Sequence, residues 1–98
     1  MVKERAQARW DALVKGDLNA AYGYLSPGSR SIISASDYAG TIRRGFWKAA
    51  KVEKVECGSA QSCEVFATIE YEFSGMRTKT LLRETWIRDG SEWWYLQK

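Results

Sequence analysis

Residues 63–82 read Cys63-Glu64-Val65-Phe66-Ala67-Thr68-Ile69-Glu70-Tyr71-Glu72-Phe73-Ser74-Gly75-Met76-Arg77-Thr78-Lys79-Thr80-Leu81-Leu82, and this stretch decides the fold. Cys63, Val65, Ala67, Ile69, Tyr71 and Phe73 fall on one side of an extended chain, and Glu64, Phe66, Thr68, Glu70 and Glu72 on the other. That alternation is the mark of a strand with one face buried. Ser74-Gly75 then reads as a two-residue hairpin turn. With that turn, Phe73 faces Met76, Tyr71 faces Thr78, Ile69 faces Thr80 and Ala67 faces Leu82. On the reverse face Glu72 meets Arg77 and Glu70 meets Lys79. A slip of one residue destroys both opposite-charge pairs, so the register is specified. The same parity carries Glu84 and Trp86 onto the Val65/Ile69 face.

Working outward, the pattern predicts strands at 46–57, 63–73, 76–88 and 92–97. The first slips out of phase between Val52 and Val55, which predicts a bulge near Glu53-Lys54. Asp89-Gly90 marks the last turn. A three-residue loop with Gly90 left-handed joins Trp94 and Leu96 to the Leu82/Trp86 face, whereas a two-residue turn brings Trp93 and Tyr95 there. The bulged loop is expected, because it gathers the aliphatic side chains on one face.

Before Phe46 the period is helical. Val2, Ala6, Trp10, Leu13 and Val14 form one stripe of a helix over 2–15, which Gly16 ends. Asp17 caps a second helix reaching Leu25, and Ser26-Pro27 opens a brief helical turn through Ser31. Ser36 or Asp37 caps a third helix, near 36–44, ended by Gly45. Helices followed by an antiparallel meander predict one α+β domain over 1–98.

With 98 residues the chain needs an efficient core, and 45% hydrophobic and 13% aromatic content supply one. No apolar run approaches the roughly 18 residues of a membrane span. The charge of +3 is mild. Arg43, Arg44, Lys48, Lys51 and Lys54 interleave with Phe46 and Trp47, and read as a helix end running into a solvated strand edge, not as a nucleic-acid surface. There is no His, which removes the commonest general base and neutral metal ligand, and no cofactor or metal motif is present.

Cys57 and Cys63 flank the small, polar segment Gly58-Ser59-Ala60-Gln61-Ser62. The spacing suits a disulfide stapling a hairpin base and points to an oxidising compartment; two ordinary cytosolic thiols are the alternative. Val2-Lys3-Glu4-Arg5 starts directly in helical pattern. An exported protein, periplasmic or lipid-anchored, whose leader is absent from this chain reconciles both observations.

Ala12-Leu13-Val14-Lys15-Gly16-Asp17, then Ala21-Tyr22 and Leu25-Ser26, resembles the first two helices of the nuclear transport factor 2-like superfamily. Glu84-Thr85-Trp86-Ile87, Asp89-Gly90 and Trp94 resemble its closing hairpin. The resemblance implies a curved sheet wrapped around a helix, a cone with an internal pocket, and often a dimer through the sheet. Some relatives are isomerases, dehydratases or cyclases, and others are binding or assembly modules, small exported bacterial ones included. This chain is short for that pattern and lacks a clear early strand after Ser26.

Glu84 is the one carboxylate expected on the apolar face. An apolar setting favours a carboxyl's neutral form, as a general acid or base needs; otherwise Glu84 reaches the rim or pairs with Arg or Lys from the helices. Tyr22, Tyr38, Tyr71, Thr80 and Trp86 are candidate pocket residues beside it. The outer face is expected to gather Phe66, Leu81, Ile87, Trp93 and Tyr95, a patch suited to a homodimer or another protein. Three functions follow: a non-catalytic ligand-binding or assembly domain, preferably for a small apolar ligand; an enzyme using Glu84 with a Tyr; or an interaction module acting through the outer face.

Overall fold

The structure is a computed structural model and describes residues 2–42 and 46–96. Four helices precede four strands: α1 (Val2–Lys15), α2 (Leu18–Tyr22), α3 (Pro27–Ile32), α4 (Ala35–Gly40), β1 (Trp47–Ser59), β2 (Ser62–Phe73), β3 (Met76–Asp89) and β4 (Glu92–Tyr95). The strands form one antiparallel sheet in the order β1-β2-β3-β4. The helices cover its apolar face, so the fold is α+β with a curved meander sheet. Among the described residues no helix is long and apolar enough to cross a membrane.

Local chemistry sets the helix boundaries. Gly16 has φ +87°, and Asp17 N–H returns to the Ala12 carbonyl, which closes α1 in a left-handed cap. The Asp17 carboxylate accepts from Ala20 N–H and opens α2. That helix ends at Tyr22, three residues earlier than the pattern predicts, because Leu25 is drawn out to make a parallel bridge with Tyr95. Ser26 caps α3 with Pro27 in its first turn. The cap of α4 is Ser34, not Ser36 or Asp37: its hydroxyl accepts from Asp37 N–H at 3.1 Å. The expected stop at Gly45 and the basic pair Arg43-Arg44 lie outside the described residues.

The central hairpin has the expected register, with Glu72 opposite Arg77 and Glu70 opposite Lys79. Ser74 and Gly75 both take positive φ, as a tight turn of this type requires. The ion pair that forms is diagonal, Arg77 to Glu70 at 3.6 Å. The β1 register shifts between Val52 and Lys54, which places the bulge at Glu53. Cys57 faces Cys63, and the two form a disulfide. The strands continue past it to Ser59 and from Ser62, so the hairpin is longer than expected.

The last hairpin departs from the expected register. Asp89 pairs with Glu92 and Trp86 with Tyr95, so the turn has two residues, Gly90-Ser91. Gly90 (φ +70°) takes the first corner, where such a turn needs a residue free to adopt positive φ. Trp93 and Tyr95 therefore pack against the core instead of joining the outer patch. Trp94 pairs with Ile87, and its ring lies 4.9 Å from the Arg5 guanidinium and 5.2 Å from that of Arg30. On the outer face Phe66, Leu81 and Ile87 remain, with Lys54 Nζ 4.8 Å above the Phe66 ring and Arg83 bridging Glu64 at 3.7 Å.

The core lies between α1 and the sheet: Ala6, Trp10 and Leu13 meet Val52, Val65, Ala67, Ile69 and Trp86. The free edge of β1 is partly covered. The Gln7 side chain donates to the Ala50 carbonyl at 3.0 Å and accepts from Val52 N–H at 2.8 Å. Its amide thus stands in for one link of a neighbouring strand and blunts the exposed edge.

Candidate functional site

Position 9 falls three residues after Ala6 and four before Leu13, so the periodicity of α1 turns Arg9 onto its apolar stripe. The alternation of β3 does the same for Glu84. The two side chains meet between helix and sheet. Arg9 Nη1 donates to Glu84 Oε2 at 2.9 Å, with Arg9 5% and Glu84 7% exposed. Trp10 Nε1 donates to the same oxygen at 2.9 Å, and Trp86 Nε1 to Oε1 at 3.3 Å. Both carboxylate oxygens are engaged, by donors that do not release protons near neutral pH.

The guanidinium is held on its other sides as well. It stacks over the Tyr95 ring at 3.7 Å, with the Trp10 ring at 5.4 Å. Its Nη2 donates to the Tyr38 hydroxyl at 3.3 Å. The Nε–H is buried and has no hydrogen-bond partner. Burial pushes the Tyr95 phenol above its ordinary pKa; the Arg9 charge opposes this, and Glu84 and Tyr38 reinforce it.

Beside this cluster lies a cavity of about 280 Å³. Arg9, Glu84, Tyr38, Tyr95, Thr41 and Arg83 are the polar residues around it, and Trp10, Leu13, Ile42, Trp47 and Leu82 form its apolar walls. Trp10 and Trp47 meet edge to face, with centroids 5.4 Å apart. A more open cleft of about 320 Å³ continues from it along Thr41, Ile42, Phe46, Trp47 and Phe73. The walls of the cavity are mainly apolar, with a few polar groups converging on it.

The candidate residues divide accordingly. Glu84 and Tyr38 line the cavity. Trp86 is fully buried behind it and fixes Glu84 through its indole N–H. Tyr22 is absent from the lining: its ring packs on Tyr38 at 5.7 Å, and its hydroxyl donates to the Ile33 carbonyl at 2.7 Å, tying α2 to the loop before α4. Tyr71 stacks on Phe46 at the far end of the sheet. Thr80 lies opposite Ile69 on β3, outside the lining. Arg9, Trp10, Trp47 and Tyr95 were not foreseen. A charged residue on the stripe of α1, facing a lone carboxylate on the sheet's apolar face, was the available signal for Arg9. Among the described residues no group of three metal-ligating side chains comes together.

The chain matches no protein-family model, and no curated protein matches it in sequence. Solved structures do share its fold. A SEC-C motif containing protein from Psychrobacter arcticus superposes with a TM-score of 0.80 at 10% identity over 99% of this chain. This chain spans 59% of that protein's length. A SEC-C motif containing protein from Rhodopseudomonas palustris gives 0.76 at 11% identity, over 95% of this chain and 73% of the other. A nuclear transport factor 2-like transpeptidase from Campylobacter jejuni gives 0.60 at 15% identity, over 95% and 94%. At these identities the likeness is one of fold alone.

Proposed function

We propose that the chain is a non-catalytic domain of the nuclear transport factor 2-like type that binds a small, largely apolar molecule between α1 and the sheet. The observation that carries this reading is the cavity of about 280 Å³ beside the buried Arg9–Glu84 pair. Burying such a pair costs desolvation free energy that well-packed apolar residues of similar size avoid. Retaining it beside an open cavity is reasonable where recognition needs a fixed polar group. An isomerase or dehydratase role for Glu84 is less well supported, because both of its oxygens already accept N–H donors. The test is a fragment titration followed by the indole and backbone N–H resonances. Binding is expected to shift Trp10, Trp47 and Ile42 together and to weaken in Leu82→Trp, which fills the cavity. A screen in which no fragment moves these three overturns the reading.

A second reading rests on the outer face, where Leu81 is 63% exposed and lies diagonal to Phe66 across the β2–β3 ladder. It makes this face the seat of a homodimer or of a protein partner. An extracytoplasmic location is part of the proposal, supported by the Cys57–Cys63 disulfide.

A further inference from the structure

We infer that the cavity recognises a carboxylate on a planar, ring-sized apolar body, an inference that rests on the ligand-binding reading above and specifies its ligand class. The argument starts from the hydrogen-bonding inventory of Arg9. A guanidinium presents five N–H donors in a rigid plane. Nη1 serves Glu84. In that plane the Nε–H lies on the edge opposite Nη1, side by side with Nη2, and this edge is the fork that matches a carboxylate's two oxygens. Here the Nε–H is buried without a partner, and Nη2 makes only a 3.3 Å contact with the Tyr38 hydroxyl. Because Tyr38 accepts that bond, its own O–H is left to donate, and no acceptor for it occurs among the described residues. Arg9 and Tyr38 both line the cavity.

Three donors of the Arg9–Tyr38 pair are therefore left to satisfy: the Arg9 Nε–H, an Nη2 N–H and the Tyr38 O–H. An unmet buried donor is costly, and an ionised acceptor meets it with a stronger bond than a neutral one does. A ligand ammonium group would find no unpaired countercharge, since the Glu84 carboxylate is already paired with Arg9 and accepts from Trp10 and Trp86 as well. Trp10, Trp47, Leu82 and Ile42 form the apolar part of the wall together with Leu13, which suits a flat apolar body.

The experiment uses three probes with one body and different heads: 2-naphthoate, 2-methylnaphthalene and 2-naphthylmethylammonium. Each is titrated into the chain and followed by the Trp indole N–H resonances. The expected result is that 2-naphthoate binds at least about ten-fold more tightly than 2-methylnaphthalene, with the ammonium weakest. In Arg9→Met/Glu84→Gln the naphthoate preference is expected to disappear while 2-methylnaphthalene still binds. That pair removes both charges together and keeps an amide oxygen for the Trp10 indole. Tyr38→Phe, which removes only the hydroxyl, should reduce the preference in part. Equal binding of the three probes, preference for the ammonium, or a naphthoate preference that survives the double substitution overturns the carboxylate inference and leaves the pocket reading standing. Failure of all three probes to bind overturns both.

Discussion

Arg9 of α1 and Glu84 of β3, 75 positions apart, form a 2.9 Å ion pair, the one charged contact between the helical layer and the sheet in which both side chains are buried among the described residues. Its energetics are asymmetric. Removing one partner strands the other charge in a low-dielectric interior at about 3–5 kcal/mol, whereas removing both does not. Arg9→Met and Glu84→Gln are each expected to lower stability by that amount. The double variant Arg9→Met/Glu84→Gln should lose much less than the sum of its two single variants. Urea denaturation of the four proteins of that cycle reads the coupling directly.

Tyr95 gives the molecule an alkaline limit. Burial raises its phenol above the ordinary value of 10.0. The folded state therefore holds this proton more firmly than the unfolded chain. The resulting stabilisation is complete below the unfolded value and is lost as pH rises through the folded one. Denaturation midpoints between pH 8 and 11 are expected to fall less steeply in Tyr95→Phe than in the unaltered chain. Equal slopes would contradict the burial of this phenol.

Gln7 protects the edge of β1 through its bonds to Ala50 and Val52. Gln7→Leu should cost about 1–3 kcal/mol, since it leaves two backbone groups without partners. It should also increase association, read by light scattering, because the freed groups can pair with another strand.

The Cys57–Cys63 disulfide closes a short loop. Loop-closure entropy for that length corresponds to about 2 kcal/mol. Reduction is expected to lower the free energy of unfolding by that amount, and thiol titration of the unreduced, denatured chain should find no free thiol.

Leu81 tests the outer face. Leu81→Lys should leave stability within about 0.5 kcal/mol, since the side chain is 63% exposed. If this face pairs with a second copy, the substitution shifts the sedimentation profile from dimer to monomer; an unchanged dimer removes the outer face from consideration.

The sheet was legible because its register is written twice, in apolar alternation and in the charge pairs Glu72–Arg77 and Glu70–Lys79. The bulge at Glu53 was visible as a break in phase. The last hairpin was not. Asp89-Gly90-Ser91 supports two turn geometries that differ by one residue, and that single residue exchanges the faces of Trp93 and Trp94. Local sequence does not separate them; the backbone of Tyr24 to Ser26 does, by claiming Tyr95 as its partner. The pocket was half legible. Glu84 stood out as a lone carboxylate on an apolar face, but its partner Arg9 lay within a stripe described by its apolar members alone. Tyr22 and Tyr71, read as pocket residues, are half-buried outside the lining, because their hydroxyl and ring partners depend on loop geometry that no spacing encodes.

The seam along β4 bears on how the chain acquires its structure during synthesis. Tyr95 N–H donates to the Tyr24 carbonyl, Ser26 N–H to the Tyr95 carbonyl, and Arg5 Nε to the Trp93 carbonyl across 88 positions. A nascent polypeptide that has emerged only as far as β3 has its four helices outside the ribosome but no acceptor for Arg5 and no strand beside Leu25. The helical layer then carries Leu25 and the Arg5 guanidinium without the groups that cover and satisfy them, although α1 already has partners on β1 and β3 through Gln7, Arg9 and Trp10. Closing contacts of such long sequence separation is intrinsically slow. Release of the last strand therefore covers Leu25 and satisfies Arg5, completing a contact between the two layers that α1 can begin on β1 to β3.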